Sequence, residues 1–205
     1  MINYQLKTNE IIEDIKKKSG EKPALLLHSC CGPCSSYVIE YLCEFFKISV
    51  FYYNPNIFPD AEYIKRKNEQ LRLIGEFNKL GKNIDFIDCD YNHDEFLNVA
   101  KGFENEKEGG ERCHRCYEFR LLKTAKAAKE KNFDFFATTL TVSPYKHAQV
   151  LNELGEKIST QTGIKYLYSD FKKLNGYKRS IELSKQYDLY RQIYCGCEFS
   201  LNTEN

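Results

Sequence analysis

Short apolar runs alternate along this chain with longer amphipathic stretches, and the two periods name its elements. Residues 24–28 form an apolar run entering a Ser-Cys-Cys-Gly-Pro-Cys turn, and Tyr37, Val38, Tyr41, Leu42, Phe45 and Phe46 then recur at helical spacing, which predicts strand, loop and helix. Residues 48–53, rich in β-branched and aromatic side chains, predict a second strand that stops at Asn54-Pro55-Asn56, with a long amphipathic helix following over about 60–80. A third strand is predicted over 84–88, a short helix over 94–100, and a charged, Gly-containing loop over 101–112 that is too polar to be core.

From Cys116 to Lys131, Phe119, Leu122, Ala125 and Ala128 share a helical face opposite Lys123, Lys126 and Lys129. Residues 133–137 then predict a fourth strand. Ser143 as N-cap with Pro144 at the first helical position predicts a helix running to about Thr162, and residues 166–168 predict a fifth strand. A polar helix over about 8–18 precedes the first strand.

Strands alternating with helices imply an α/β fold: a mostly parallel sheet with helices on both faces. The rhythm breaks after Asp170, where Lys172-Lys173, Asn175-Gly176, a helix near 179–186 and a Cys195-Gly196-Cys197 tail predict a C-terminal helical extension, with a metal-binding tail over about 170–200. A length of 205 residues suits a single α/β domain over 1–205. In an open parallel sheet, ligands bind beyond the carboxyl ends of the strands, so the loop holding Cys30 to Cys34 is where chemistry is expected.

Charge changes the picture only slightly: a net charge of +1 gives no global attraction to polyanions, so any nucleic-acid surface must be local. The N-terminal stretch is polar, with Lys16, Lys17 and Lys18 following Ile11, Ile12 and Ile15, and no run of about 18 apolar residues occurs, so a cytoplasmic chain without membrane spans is expected. Nine cysteines in a reducing compartment point to metal or redox chemistry rather than to a disulfide framework.

Cys31-Gly32-Pro33-Cys34 at a helix start is the strongest local signal, because helix N-terminal amides favour thiolate. Alone it suits equally a thioredoxin-like dithiol, with Cys31 attacking and Cys34 resolving, or a metal site. Adjacent Cys30 favours metal, since a dithiol exchanger has no use for a third thiolate whereas a metal gains a soft ligand. Cys113-His114-Arg115-Cys116 and Cys195-Gly196-Cys197 supply four more thiols at spacings that let each pair reach one centre. Seven thiols exceed one tetrahedral site and divide naturally into four for a four-iron, four-sulfur cluster and three for a second metal with an open position. A single structural zinc on Cys113, Cys116, Cys195 and Cys197, pinning the tail, is the alternative. Cys43 on an apolar helix face and Cys89 at a strand end read as core. His28, just before the loop, suits either a buried, satisfied histidine or a proton donor, while His93, His114 and His147 have no telling spacing.

Four segments together resemble the cobalamin-independent epoxyqueuosine reductases, the QueH family: residues 27–34, Tyr53-Asn54-Pro55-Asn56-Ile57 with Glu62-Tyr63 and Arg66, Arg112 to Tyr117 with Arg120, and residues 190–197. The resemblance covers nearly the whole chain and implies a fold related to the adenine-nucleotide hydrolase and PP-loop families. No PP-loop glycine-serine signature stands at the first turn, so ATP use is not inferred. The implied activity is reduction of epoxyqueuosine to queuosine at the wobble position of tRNAs with GUN anticodons (His, Tyr, Asp, Asn). The implied cofactors are a 4Fe-4S cluster on Cys30, Cys34, Cys113 and Cys116 and a second, mononuclear iron on Cys31, Cys195 and Cys197, with Cys30 and Cys31 interchangeable.

No dinucleotide fingerprint follows any predicted strand, so an external electron donor such as ferredoxin or flavodoxin is expected. Tyr117, Tyr194 and His28 are proton-donor candidates. Substrate-binding candidates are Tyr53, Asn54, Tyr63, Arg66, Tyr117 and Arg191, with Phe58 among the aromatics, because unstacked bases are held by aromatic faces and phosphates by Lys or Arg. Lys65 and Lys67 read as a solvated face, whereas Lys172, Lys173, Lys178, Arg179, Lys185 and Arg191 form the expected tRNA surface. A disulfide oxidoreductase and a zinc-stabilised RNA-binding module are the competing classes.

Overall fold

Leu25 and Leu27 point to one side of a central strand and Leu26 to the other, and two hydrophobic cores form on the two faces of the sheet as a result. That strand is β1 (Ala24–His28), flanked in parallel by β2 (Lys47–Tyr52) and β4 (Phe135–Thr138), with β3 (Asp85–Asp88) and β5 (Lys165–Tyr166) at the edges. The computed structural model describes residues 2–18 and 20–201. The order is β3-β2-β1-β4-β5 with every neighbour parallel, and His28 lies opposite Phe51 on one side and Thr138 on the other. The expected α/β sheet is therefore present, and all of it is parallel.

Helices α2 (Gly32–Leu42) and α3 (Asp60–Lys79) cover the face carrying Leu25 and Leu27, where Val38, Ile39, Leu42, Leu73 and Phe77 complete the core, and α7 (Gly176–Gln186) packs against α2. Helices α5 (Glu111–Glu130) and α6 (Ala148–Thr162) cover the other, with Leu121, Ala125, Leu151 and Ile158 packed on Leu26, Phe51 and Phe136. Each such leucine contributes roughly 1.5–3 kcal/mol by leaving water. α1 (Tyr4–Lys17) lays Ile11 and Ile15 against the first core, α4 (His93–Ala100) leads toward α5, and a short α8 (Glu198–Leu201) follows the tail cysteines.

Several boundaries differ from the sequence reading, each for a local reason. α1 starts at Tyr4 because the Asn3 side chain accepts from the Leu6 amide at 3.3 Å. Ser143 is not an N-cap: it ends a 3-10 turn, Thr139–Val142, in extended conformation, and α6 starts only after His147. Ser-Pro marks turns as readily as helix starts, and the residue before proline avoids helical geometry. α5 begins at Glu111, so Arg112 and Cys113 are helical; the polar run 111–115 concealed a turn whose Arg112 is buried and donates to the carbonyls of Phe103, Glu104 and Glu106. The loop before it is thus wound around a buried guanidinium. β5 covers only Lys165–Tyr166, after which the Leu167 amide makes one more bond to the Phe136 carbonyl. The C-terminal extension is helical as expected, with α7 starting at Gly176. No helix among the described residues is long and apolar enough to cross a membrane.

Candidate metal centre

In this strand order the chain winds away from β1 in both directions, β2 on one side and β4 on the other, which opens a crevice at their carboxyl ends. The loop after β1 enters it. Cys31 is the N-cap of α2, with Gly32 and Pro33 opening the helix and the Cys34 amide directed back at the Cys31 sulfur. The sulfurs of Cys30, Cys31 and Cys34 lie within 4.8 Å of one another, the one set of three potential ligands so close among the described residues. Cys30 and Cys31 sulfurs are 3.7 Å apart. Sulfurs this close can ligate one metal or two adjacent ones, so the triad can hold a metal.

The three thiols do not ionise alike. Hydrogen bonding to Cys31 pushes Cys30 up to about 11, and hydrogen bonds with both partners hold Cys34 well above the usual thiol range. Cys31, which accepts from both and from the helix amide, falls well below that range. It also accepts from the Gln192 side-chain amide at 3.0 Å.

The second pair lies one turn apart on α5, Cys113 in the first turn and Cys116 in the next, so both face the same way. Cys113 accepts from the Gly109 amide at 3.2 Å. Cys116 and Cys197 belong to one buried cluster with Phe96 and Ala100. Burial raises Cys116, with Cys195 and Cys113 near enough to add to the effect, and burial pushes Cys197 up to about 12 with Cys195 and Cys116 adding. Cys195 accepts from the ammonium of Lys146 at 3.1 Å, and Lys146 reaches Glu108 at 3.0 Å.

Arg66 of α3, 1 % exposed, fixes the tail: its guanidinium donates to the Tyr194 and Cys195 carbonyls at 3.3 and 3.1 Å and to Glu62 at 2.7 Å. Gly196 has φ +108°, and a Cβ there would stand 2.9 Å from the Arg66 Nη1 and 3.1 Å from Ile57, so both backbone angle and space require glycine. The Gly196 carbonyl accepts from the Phe58 amide at 2.8 Å. Arg120, fully buried, donates to the Cys116 carbonyl and the Asn54 side chain and lies in electrostatic reach of Cys30, Cys116 and Cys195.

A cleft of about 610 Å³ opens on this assembly, with Cys30, Cys34 and Cys195 on its wall beside Arg120, Ser143, Lys146 and Arg191. The other substrate candidates are not on its wall. Asn54 donates to the Ser29 carbonyl at 2.8 Å, Tyr53 is bonded to Glu95, Tyr63 stacks on Tyr91, and Tyr117 is buried against the second core. Arg191 alone of the six substrate candidates lines the cleft. His28 is wholly buried, bonded to Thr138 and to the Tyr53 carbonyl at 3.1 Å each, and burial drives it down to about 3, so it stays neutral. Cys43 is buried core and Cys89 is half-buried at the end of β3.

Lys65 lies over the Tyr190 ring and Lys67 pairs with Asp88. In the C-terminal basic group Lys172 pairs with Asp170, and Arg179 with Glu40 and Glu182. Lys146 and Gln192, which bond cysteine sulfurs, carried no role in the sequence reading. Gln192 could have been found from its place three residues before Cys195, whereas nothing local marks Lys146.

The family model for epoxyqueuosine reductase QueH matches residues 25–203. The chain belongs to this reductase family. Among relatives named epoxyqueuosine reductase QueH, that of Staphylococcus epidermidis is 44% identical over 97% of this chain and 84% of its own length. That of Streptococcus pyogenes is 42% identical over 97% and 79%. That of Thermotoga maritima is 33% identical over 86% and 90%. QueH membership makes the chain an oxidoreductase, as the resemblance implied.

Proposed function

We propose that this QueH chain reduces the epoxide of epoxyqueuosine at the wobble position of GUN-anticodon tRNAs to the alkene of queuosine, consuming two electrons and two protons and releasing water. The observation that carries the reading is the packing of Cys30, Cys31 and Cys34 within 4.8 Å of one another, with Cys30 and Cys34 on the wall of a cleft that also receives Cys195. Cys34, Cys113, Cys116 and one of Cys30 and Cys31 hold a 4Fe-4S cluster, and the other joins Cys195 and Cys197 on a second iron. When bound, these groups supply electrons singly and a Lewis acid for the epoxide oxygen.

The chain's own residues set the stage for that chemistry. Arg66 and Gly196 shape the tail so that Cys195 is presented to the cleft. Gln192 and Lys146 aim donors at the Cys31 and Cys195 sulfurs, and hydrogen bonds to thiolate sulfur stabilise its negative charge. Tyr117, pushed up by burial, keeps its proton, and Tyr194 donates its own to the Phe58 carbonyl at 2.5 Å. Ferredoxin or flavodoxin supplies the electrons from outside.

Anaerobically reconstituted protein with a strong reductant should convert epoxyqueuosine tRNA to queuosine tRNA without cobalamin, ATP or added flavin. Iron near five and sulfide near four per chain accompany it, on ligand count. Strict dependence on cobalamin overturns the proposal. The low Cys31 and high Cys34 favour one rival, a dithiol exchanger with Cys31 as nucleophile. Disulfide reduction by iron-free protein would select it, and zinc alone would select a structural RNA-binding module.

A further inference from the structure

Ile193 and Tyr145, 84 % and 77 % exposed, are the two most exposed large apolar side chains among the described residues. Both line the same cleft, the one on whose wall Cys30, Cys34 and Cys195 lie. Nothing in the packing asks for apolar side chains there, since neither belongs to a hydrophobic cluster.

Their backbones are nevertheless fixed, and fixed to the metal-ligand cysteines. Tyr145 immediately precedes Lys146, whose buried ammonium bonds the Cys195 sulfur at 3.1 Å and Glu108 at 3.0 Å. The Tyr145 amide itself donates to the Ser143 hydroxyl at 3.3 Å. Ile193 immediately follows Gln192, whose amide bonds the Cys31 sulfur at 3.0 Å, and precedes Tyr194, whose carbonyl is held by Arg66. Two solvent-facing apolar groups, each one residue from a side chain bonded to a cysteine sulfur, are thus displayed at the mouth of the site.

We infer that Tyr145 and Ile193 are the lips that grip the two faces of the unstacked wobble base of the tRNA anticodon loop while its modified end reaches the cysteines. The inference rests on the reductase reading above and deepens it. A flat heterocycle needs two apolar faces and a polar edge partner. The cleft offers all three, because Ser143, Arg191 and Gln192 also line it, and Arg191, exposed, gives the rim the positive charge a loop phosphate requires. The volume of about 610 Å³ lies in the range of small-ligand sites and suffices for one nucleoside.

The test uses the anaerobically reconstituted full chain and an anticodon stem-loop RNA carrying a fluorescent purine analogue at the wobble position. Binding to the parent protein should change the fluorescence as the analogue leaves the loop stack and meets Tyr145. Tyr145→Ala should weaken affinity by about fivefold or more, and Ile193→Ala by a smaller factor, as expected for loss of one stacking face. Tyr145→Phe should bind like the parent, since the ring and not the hydroxyl carries the contact. Iron content and visible spectrum should be the same in all three variants, both side chains being exposed. Equal affinity and equal fluorescence change in parent, Tyr145→Ala and Ile193→Ala would overturn this inference while leaving the reductase activity standing. A parent protein that neither binds the RNA nor converts epoxyqueuosine tRNA would remove both.

Discussion

The guanidinium of Arg66, on the third helix, donates at 3.1 Å to the carbonyl of Cys195, 129 residues further along the chain. A cation with almost no exposure thereby joins the body of the protein to the backbone of a residue that lines the cleft, with Glu62 as its counter-ion.

Removing that cation should be costly. Arg66→Ala leaves Glu62 and two tail carbonyls without their buried donor, and breaking such a pair destabilises by about 3–5 kcal/mol. Thermal unfolding should show the loss directly. Iron bound after reconstitution should fall as well, since the tail is no longer held over the triad.

Gly196→Ala acts on the same joint from the other side. A Cβ at φ +108° meets the Arg66 guanidinium at 2.9 Å, so strain and overcrowding combine at about 1–3 kcal/mol each. The expected result is a lower thermal midpoint and reduced turnover with the triad's own thiols still titratable. An alanine variant that matches the parent would show that the tail moves freely.

Cys195→Ser and Cys197→Ser should abolish turnover while retaining much of the cluster absorbance, because both thiols are assigned to the second iron. Anaerobic visible spectra beside iron and sulfide analysis measure this. Complete loss of the cluster in both variants would move these residues into its coordination shell. Cys43→Ala, in the first core, should leave activity close to that of the parent.

Charge on the cleft rim and charge beyond it should separate in RNA binding. Arg191→Gln should weaken binding of unmodified tRNA and reduce the salt slope by about one, as for one lost phosphate contact. Arg179→Gln should leave both unchanged, because Arg179 is occupied by Glu40 and Glu182, and should cost no more than about 1 kcal/mol of stability. A salt series with both variants decides the matter.

The sheet was legible because buried parallel strands are apolar runs and their covering helices are amphipathic, as residues 24–28 and Phe119, Leu122, Ala125 and Ala128 illustrate. The closeness of Cys30, Cys31 and Cys34 was legible because a Cys-Cys-Gly-Pro-Cys run at a helix start leaves its thiols on one turn. Boundaries failed where polar side chains serve the interior: Arg112 read as loop because a guanidinium bonded to three carbonyls has the same letter as one in water. Tyr53 and Tyr63 read as candidate stacking platforms, yet are off the cleft wall at 3 and 4 % exposure. The reach of Lys146 to Cys195 spans 49 residues and that of Gln192 to Cys31 spans 161, and no local pattern encodes contacts of that kind.

The long span between Gln192 and Cys31 also sets an order of events during synthesis. The thiols of the first turn and of α5 leave the ribosome well before Cys195 and Cys197, and the parallel sheet that bears them needs no residue beyond Tyr166. Five of the seven thiols are therefore made before the other two, although the first core closes only when Phe171 and Leu189 arrive. Contact between the two groups, such as the bond from Gln192 to Cys31, forms only after the tail has been made, so any centre that needs both groups is completed last.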